Sequence, residues 1–175
     1  ATAAMMKALY KSLQAPDDYM TDEKIAATFK QLPLQPEYLK LDIFEVDGKI
    51  AGYALLFKFW YNEFGGMVWN IDELFVQPEF QRKGISSIYL SSLSKRTADR
   101  VALSLEVLPE NKGAYDLYKR NGFHEKETVT LYKLLRVFER LLSRFDEEQK
   151  SKRVHTVYNF NYTIQEQRAN ITGSL

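Results

Sequence analysis

The chain contains no cysteine among its 175 residues. A disulfide framework, a thiolate metal site and an acyl-cysteine intermediate are thereby excluded. Only two histidines are present, His124 and His155, well apart in sequence, so a zinc site is not expected and no metal is assigned. Charge of one sign is also lacking: 24 Lys and Arg against 23 Asp and Glu leave a formal +1. That balance offers no footprint for nucleic acid, and the aromatic residues do not interleave with a basic stripe. No run approaches the roughly 20 apolar residues of a membrane span, and no secretory signal is read, so a cytoplasmic protein without a membrane partner is expected. What remains is ordinary for one globular domain, with 45% hydrophobic and 27% charged residues and a length sufficient for a proper core.

Residues 3–14 read as a helix with Met6, Leu9, Tyr10 and Leu13 on one face. Thr21 or Asp22 can cap a second helix bearing Ile25, Phe29 and Leu32, stopped by Pro33. Segments 39–46 and 50–60 read as antiparallel strands joined at Asp47-Gly48, a hairpin signal. A third strand, 67–76, follows the Asn62–Gly66 turn, and the helix after it is expected to turn Ile85, Ile88, Tyr89 and Leu93 inward. Strand 101–108, helix 112–120 and one or two short strands within 123–133 complete the pattern. Strands that alternate with helices after an antiparallel start indicate an α/β three-layer fold around a mixed, partly antiparallel sheet.

The densest information lies in Val76-Gln77-Pro78-Glu79-Phe80-Gln81-Arg82-Lys83-Gly84-Ile85-Ser86. A β-branched strand ends at a proline turn, a basic glycine-containing loop follows, and a helix begins. Unpaired backbone N–H groups, the positive end of the helix dipole and two cationic side chains together make a seat for a pyrophosphate. Gly84 lets the backbone approach phosphates closely and removes the steric cost of a left-handed turn. Downstream, Leu105–Asn111 reads as a strand and turn into a short helix with Ala114, Leu117 and Tyr118 on one face. Asn111 suits its N-cap, and Gly122 a left-handed C-terminal cap before Phe123.

Both segments resemble the GNAT-type N-acetyltransferase superfamily. Gln81–Ser86 is similar to its acetyl-CoA loop, whose pattern is Gln or Arg, two residues, Gly, one residue, then Gly or Ala; Ser86 departs from that last position. Asn111, Ala114, Leu117-Tyr118, Asn121 and Gly122-Phe123 resemble the later cofactor-binding segment, in the right order and at about the right distance. Gly52–Phe57 with Ile71–Val76 looks most like the spermidine/spermine (diamine) branch. The resemblance implies an acyl-CoA N-acyltransferase fold, acetyl-CoA as cosubstrate, a small amine as acceptor and, by the habit of the superfamily, a homodimer.

It also implies roles. Gln81, Arg82, Lys83, Gly84, Ile85 and Ser86 would hold the pyrophosphate, and main-chain N–H groups around Phe75 and Val76, on a third strand splayed from 101–108, would meet the thioester and pantetheine. Tyr118 would protonate the departing thiolate, against the alternative of a core aromatic with its hydroxyl bonded elsewhere. Asn111 would contact the cofactor, serve as N-cap, or do both. For the base that takes the ammonium proton, Glu73 is the first choice and Asp72 the second; a regular strand sends only one of them into the acceptor cleft unless a bulge intervenes. Trp60, Tyr61 and Glu63 would line the acceptor mouth and favour a cationic amine by charge pairing and cation–π contact. Competing functions are a protein N-terminal or lysine acetyltransferase and a catalytically inactive CoA-binding regulatory module.

The chain therefore divides into a catalytic core over 1–133, an amphipathic helix over 134–153 with Leu134, Phe138, Leu141, Leu142 and Phe145 on one face, and a strand-forming tail over 154–175. In the superfamily a strand precedes the first helix, whereas here the sequence opens in the helix. Tyr158, Phe160, Tyr162 and Ile164 alternate as that strand would. The tail is expected to supply the first strand, by permutation, by a swap between subunits or by relocation in the numbering, and to pair beside 39–46; the alternative is an unrelated additional strand.

Overall fold

In the computed structural model, which describes residues 1–96, 100–127 and 131, the chain opens with α1 (Thr2–Ser12) and α2 (Asp22–Gln31). Thr21 caps α2, its hydroxyl accepting from the Lys24 N–H at 3.4 Å, and Asp22 and Glu23 in the first turn complement the positive helix end. β1 (Leu39–Val46) and β2 (Lys49–Tyr61) form the hairpin at Asp47-Gly48, where both residues take positive φ, 51° and 73°. Two left-handed residues in a two-residue loop match the twist of the strands, and Asp-Gly tolerates that geometry best. β3 (Gly66–Val76) returns alongside β2, α3 (Ile85–Lys95) crosses over, and β4 (Ala102–Leu105) runs parallel to β3. α4 (Lys112–Arg120) follows. The sheet order is β1-β2-β3-β4, antiparallel except for its last pair, so it is mixed as expected.

Helices cover both faces. Met5, Met6 and Ile25 of α1 and α2 pack on Tyr53, Leu55 and Phe75. On the other face Tyr89, Leu90 and Leu93 of α3 pack on Ala54, Leu56, Trp69 and Ile71, with Leu117, Tyr118 and Phe123 at the margin. These layers lie within the compact unit Ala1–Lys126.

Two expectations are corrected. Ile88 is 69% exposed: each helical residue turns about 100°, and with Tyr89, Leu90 and Leu93 buried, Ile88 falls on the far side. The strand expected over 101–108 pairs only over Ala102–Leu105; its continuation toward Pro109 leaves the sheet. Of the one or two short strands expected within 123–133, residues 123–127 form none, and 128–130 and 132–133 lie outside the described residues. The amphipathic helix over 134–153 and the tail over 154–175 lie outside the described residues. Among the described residues no helix is long and apolar enough to cross a membrane.

Candidate active site

The loop between β3 and α3 is shaped by its backbone. Pro78–Phe80 makes a single 3-10 turn, Arg82 has φ 59°, and Gly84, the residue before α3, has φ 79°. Left-handed residues in such a loop turn consecutive N–H groups to one side, the geometry of an anion nest. The first helical bond runs from the Ile88 N–H to the Gly84 carbonyl at 2.9 Å, which leaves the N–H groups of Ile85, Ser86 and Ser87 without intrahelical acceptors. A Cβ added at Gly84 would meet no atom within 4 Å, so the space before the loop is open. Arg82 and Lys83 are exposed beside it, the Lys83 ammonium 5.2 Å from the Phe80 ring centre. Gln81 is differently engaged: its amide donates to the Val76 carbonyl at 2.9 Å and ties the loop to the strand end. These features fit a pyrophosphate. The double variant Arg82→Ala, Lys83→Ala is expected to weaken acetyl-CoA binding by about tenfold to a hundredfold; unchanged affinity by calorimetry would place the phosphates elsewhere.

Next to the loop the sheet opens. β3 and β4 pair only from Val68↔Ala102 to Ile71↔Leu105. Among the described residues, Asp72–Val76 of β3 have no strand paired on that side. Phe75 and Val76 keep their side chains buried, on opposite faces of the sheet, while their strand edge faces the gap. Asn111 caps α4, its side-chain oxygen accepting from the Ala114 N–H at 3.2 Å. Tyr118 is half-buried, edge-on to Phe123 with ring centres 5.8 Å apart, and its hydroxyl makes no hydrogen bond among the described residues. Burial raises its pKa, so the phenol keeps its proton at neutral pH.

The two carboxylates are separated by a bulge. Register passes from Leu55↔Glu73 to Leu56↔Ile71, which makes Asp72 the extra residue. Asp72 is exposed, though crowding on its protein side raises its pKa, with Glu106 adding repulsion. Glu73 is only 4% exposed, and its Oε2 accepts from the Tyr53 hydroxyl at 2.9 Å. Desolvation raises the Glu73 pKa and Asp72 adds to it, while the Tyr53 and Tyr10 hydroxyls act the other way. Tyr10 also lines a cavity of about 400 Å³ between α1 and α2, with Met20, Asp17, Asp22 and Glu23 in its wall. Tyr10 and Tyr53 were not anticipated as site residues: Tyr10 reads as part of a helix face, and Tyr53 as one more apolar strand position.

Trp60, Tyr61 and Glu63 lie at the other end of the β2–β3 hairpin. Trp60 pairs with Met67 and Tyr61 with Gly66, some 20 Å along the strand from Glu73 at about 3.3 Å per residue. The structure does not bring them together with Glu73. Glu63 instead forms an ion pair with Lys126 at 2.5 Å, the Lys126 ammonium bonds the Tyr61 hydroxyl, and it lies 4.4 Å from the centre of the Tyr61 ring. Phe64 stacks on Tyr61 at 4.8 Å. The Lys126 ammonium holds the Glu63 carboxyl below the usual carboxylate range, and Glu63 in turn raises Lys126. An internal cation thus occupies the position expected for the substrate's.

The mixed sheet with helices on both faces is the fold of the acyl-CoA N-acyltransferase class. The profile of the Acetyltransferase (GNAT) family matches residues 6–123, and the chain belongs to that family. It is 37% identical over 89 residues to an uncharacterized N-acetyltransferase of Methanocaldococcus jannaschii, a match covering 49% of this chain and 39% of that protein. The chain thus spans well under half the length of this curated relative. Among solved structures, an integron cassette protein from the mobile metagenome of Cole Harbour Salt Marsh is similar at 25% identity and a TM-score of 0.61, covering 77% of this chain and 82% of the other. An aminoglycoside N-acetyltransferase in complex with CoA shares the fold at a TM-score of 0.59 and 22% identity, over 75% of this chain and 85% of its own.

Proposed function

We propose that this chain transfers the acetyl group of acetyl-CoA to a primary amine by direct attack in a ternary complex, and that the acceptor is a polyamine or another small cationic amine. The observation that carries the reading is the unpaired edge of β3 over Asp72–Val76, with a buried carboxyl at one end and an anion seat at the other. Acetyl-CoA supplies the activated acyl group. The N–H groups after Gly84, with Arg82 and Lys83, hold its pyrophosphate. The free edge near Phe75 and Val76 offers main-chain donors to the thioester carbonyl, where negative charge develops. Glu73 accepts the ammonium proton, and Tyr118 donates a proton to the thiolate. In balance, an N–C bond forms as the C–S bond breaks, one proton leaves nitrogen and one reaches sulfur.

The cationic acceptor is supported by Asp17, Asp22 and Glu23 around the α1–α2 cavity, which outnumber Lys7 and Lys11 in the same wall; Lys7 neutralises Asp22 at 2.7 Å. The test is thiol release from acetyl-CoA across a panel of polyamines, other amines and lysine peptides. Tyr118→Phe is expected to lower kcat by about a hundredfold, the lower end of general-acid effects, because a thiolate is a fair leaving group. Tight CoA binding without turnover of any amine would overturn the enzyme reading and leave a regulatory CoA-binding module.

A further inference from the structure

We propose that Tyr53 is a positioning residue for Glu73, fixing which carboxyl oxygen faces the acceptor amine. The inference rests on the assignment of Glu73 as base. In a regular strand Ile71 and Glu73 would point to one face, the one packed by α3. The extra residue at Asp72 reverses that parity, and Glu73 emerges instead on the face of Tyr53, Leu55 and Phe75. There the Tyr53 ring is fully buried and lies 6.1 Å from the Phe75 ring, so the phenol has little freedom. Its hydroxyl needs a partner in that setting, and takes Glu73 Oε2 at 2.9 Å. One carboxyl oxygen is thereby committed to Tyr53, and the proton of the amine falls to the other, which Tyr10 approaches from α1.

The groups acting on this carboxyl come from three elements: Tyr53 from β2, Tyr10 from α1 and Asp72 from the bulge itself. Tyr53 and Tyr10 favour the ionised form by hydrogen bonding, and Asp72 opposes it by charge. Tyr10 belongs to both the carboxyl's surroundings and the cavity wall, so one side chain stands between Glu73 and the space proposed for the acceptor. A merely structural Tyr53–Glu73 pair would show itself in thermal stability and leave the reaction's pH dependence alone.

The experiment is Tyr53→Phe, which removes one oxygen and keeps the ring. The expected result is a fall in kcat of about tenfold, an acidic limb of the rate profile displaced upward by roughly one pH unit, and an unchanged KM for acetyl-CoA. The Glu73 carboxyl, followed by carbon-13 NMR in the unliganded protein, is expected to titrate higher by the same amount, a readout independent of turnover. Tyr10→Phe, which leaves the buried Tyr53–Phe75 packing in place, is expected to move both quantities in the same direction by less. Superimposable rate profiles and carboxyl titrations for wild type and Tyr53→Phe would overturn the proposal. If Glu73→Gln is inactive while Tyr53→Phe keeps the wild-type profile, only the positioning role falls. If Glu73→Gln keeps wild-type activity, the base assignment falls and takes this role with it.

Discussion

Glu73→Gln is expected to lower kcat by about a thousandfold, in the middle of the range for loss of a general base. The amide keeps the shape of the side chain and an oxygen that can accept from Tyr53, so the buried bond of 2.9 Å has a replacement. What disappears is the capacity to take a proton. KM for acetyl-CoA is expected to hold, because the anion seat lies beyond Val76 on the other side of the open edge. Asp72→Asn is the companion variant: Asp72 is the exposed bulge residue, and a loss of threefold or less is expected. Stability gives a second readout. Burial raises the Glu73 pKa, so the native state holds that proton more tightly than the unfolded chain. Its contribution is therefore most favourable below the ordinary glutamate pKa and declines as pH rises to the elevated native value. Glu73→Gln lacks this decline, and its Tm should gain on wild type across that window. A wild-type rate retained by Glu73→Gln would hand the proton to Asp72 or to solvent.

The elements legible in the sequence are those set by local chemistry. Asp47-Gly48 announces its hairpin because few residue pairs accept two positive φ angles, and Thr21 announces α2 because a hydroxyl at that point satisfies an orphan N–H. The turn between β3 and α3 is legible for the same reason: a glycine between a strand and a helix announces its left-handed residue in a few adjacent positions. Features that depend on pairing partners are not written locally. The bulge at Asp72 exists only in the register of β2 against β3, and nothing in Ile71-Asp72-Glu73 identifies which residue is extra. The surroundings of Glu73 need α1 brought over β2 and β3, so Tyr10, 63 positions earlier by the numbering, could not be joined to it by spacing. Trp60, Tyr61 and Glu63 illustrate the converse. Their composition suits a cation, but Lys126 is brought to them only by the turn after α4.

Gly52→Ala is expected to destabilise the fold by about 3 kcal/mol, at the upper end of overpacking effects, and to weaken acetyl-CoA binding with it. A Cβ at Gly52 would lie 2.2 Å from the Phe75 carbonyl oxygen and 3.0 Å from both Val76 Cα and Phe44 Cδ2. Two of these three are backbone atoms, which cannot rotate away as a side-chain end can. Gly52 pairs directly with Val76, so relief requires β2 and β3 to separate where β3 hands over to the phosphate loop. The same shift would displace the Phe75 and Val76 edge assigned to the thioester. Gly48→Ala provides the contrast: it has φ 73° but nothing within 4 Å of the added atom, so its cost is conformational alone, roughly 1 kcal/mol. For a domain of this size about 3 kcal/mol corresponds to a Tm lower by roughly 10 °C. A Gly52→Ala protein as stable as Gly48→Ala would mean that the strands do not approach so closely. A stable Gly52→Ala with full acetyl-CoA affinity would further separate the end of β3 from the cofactor.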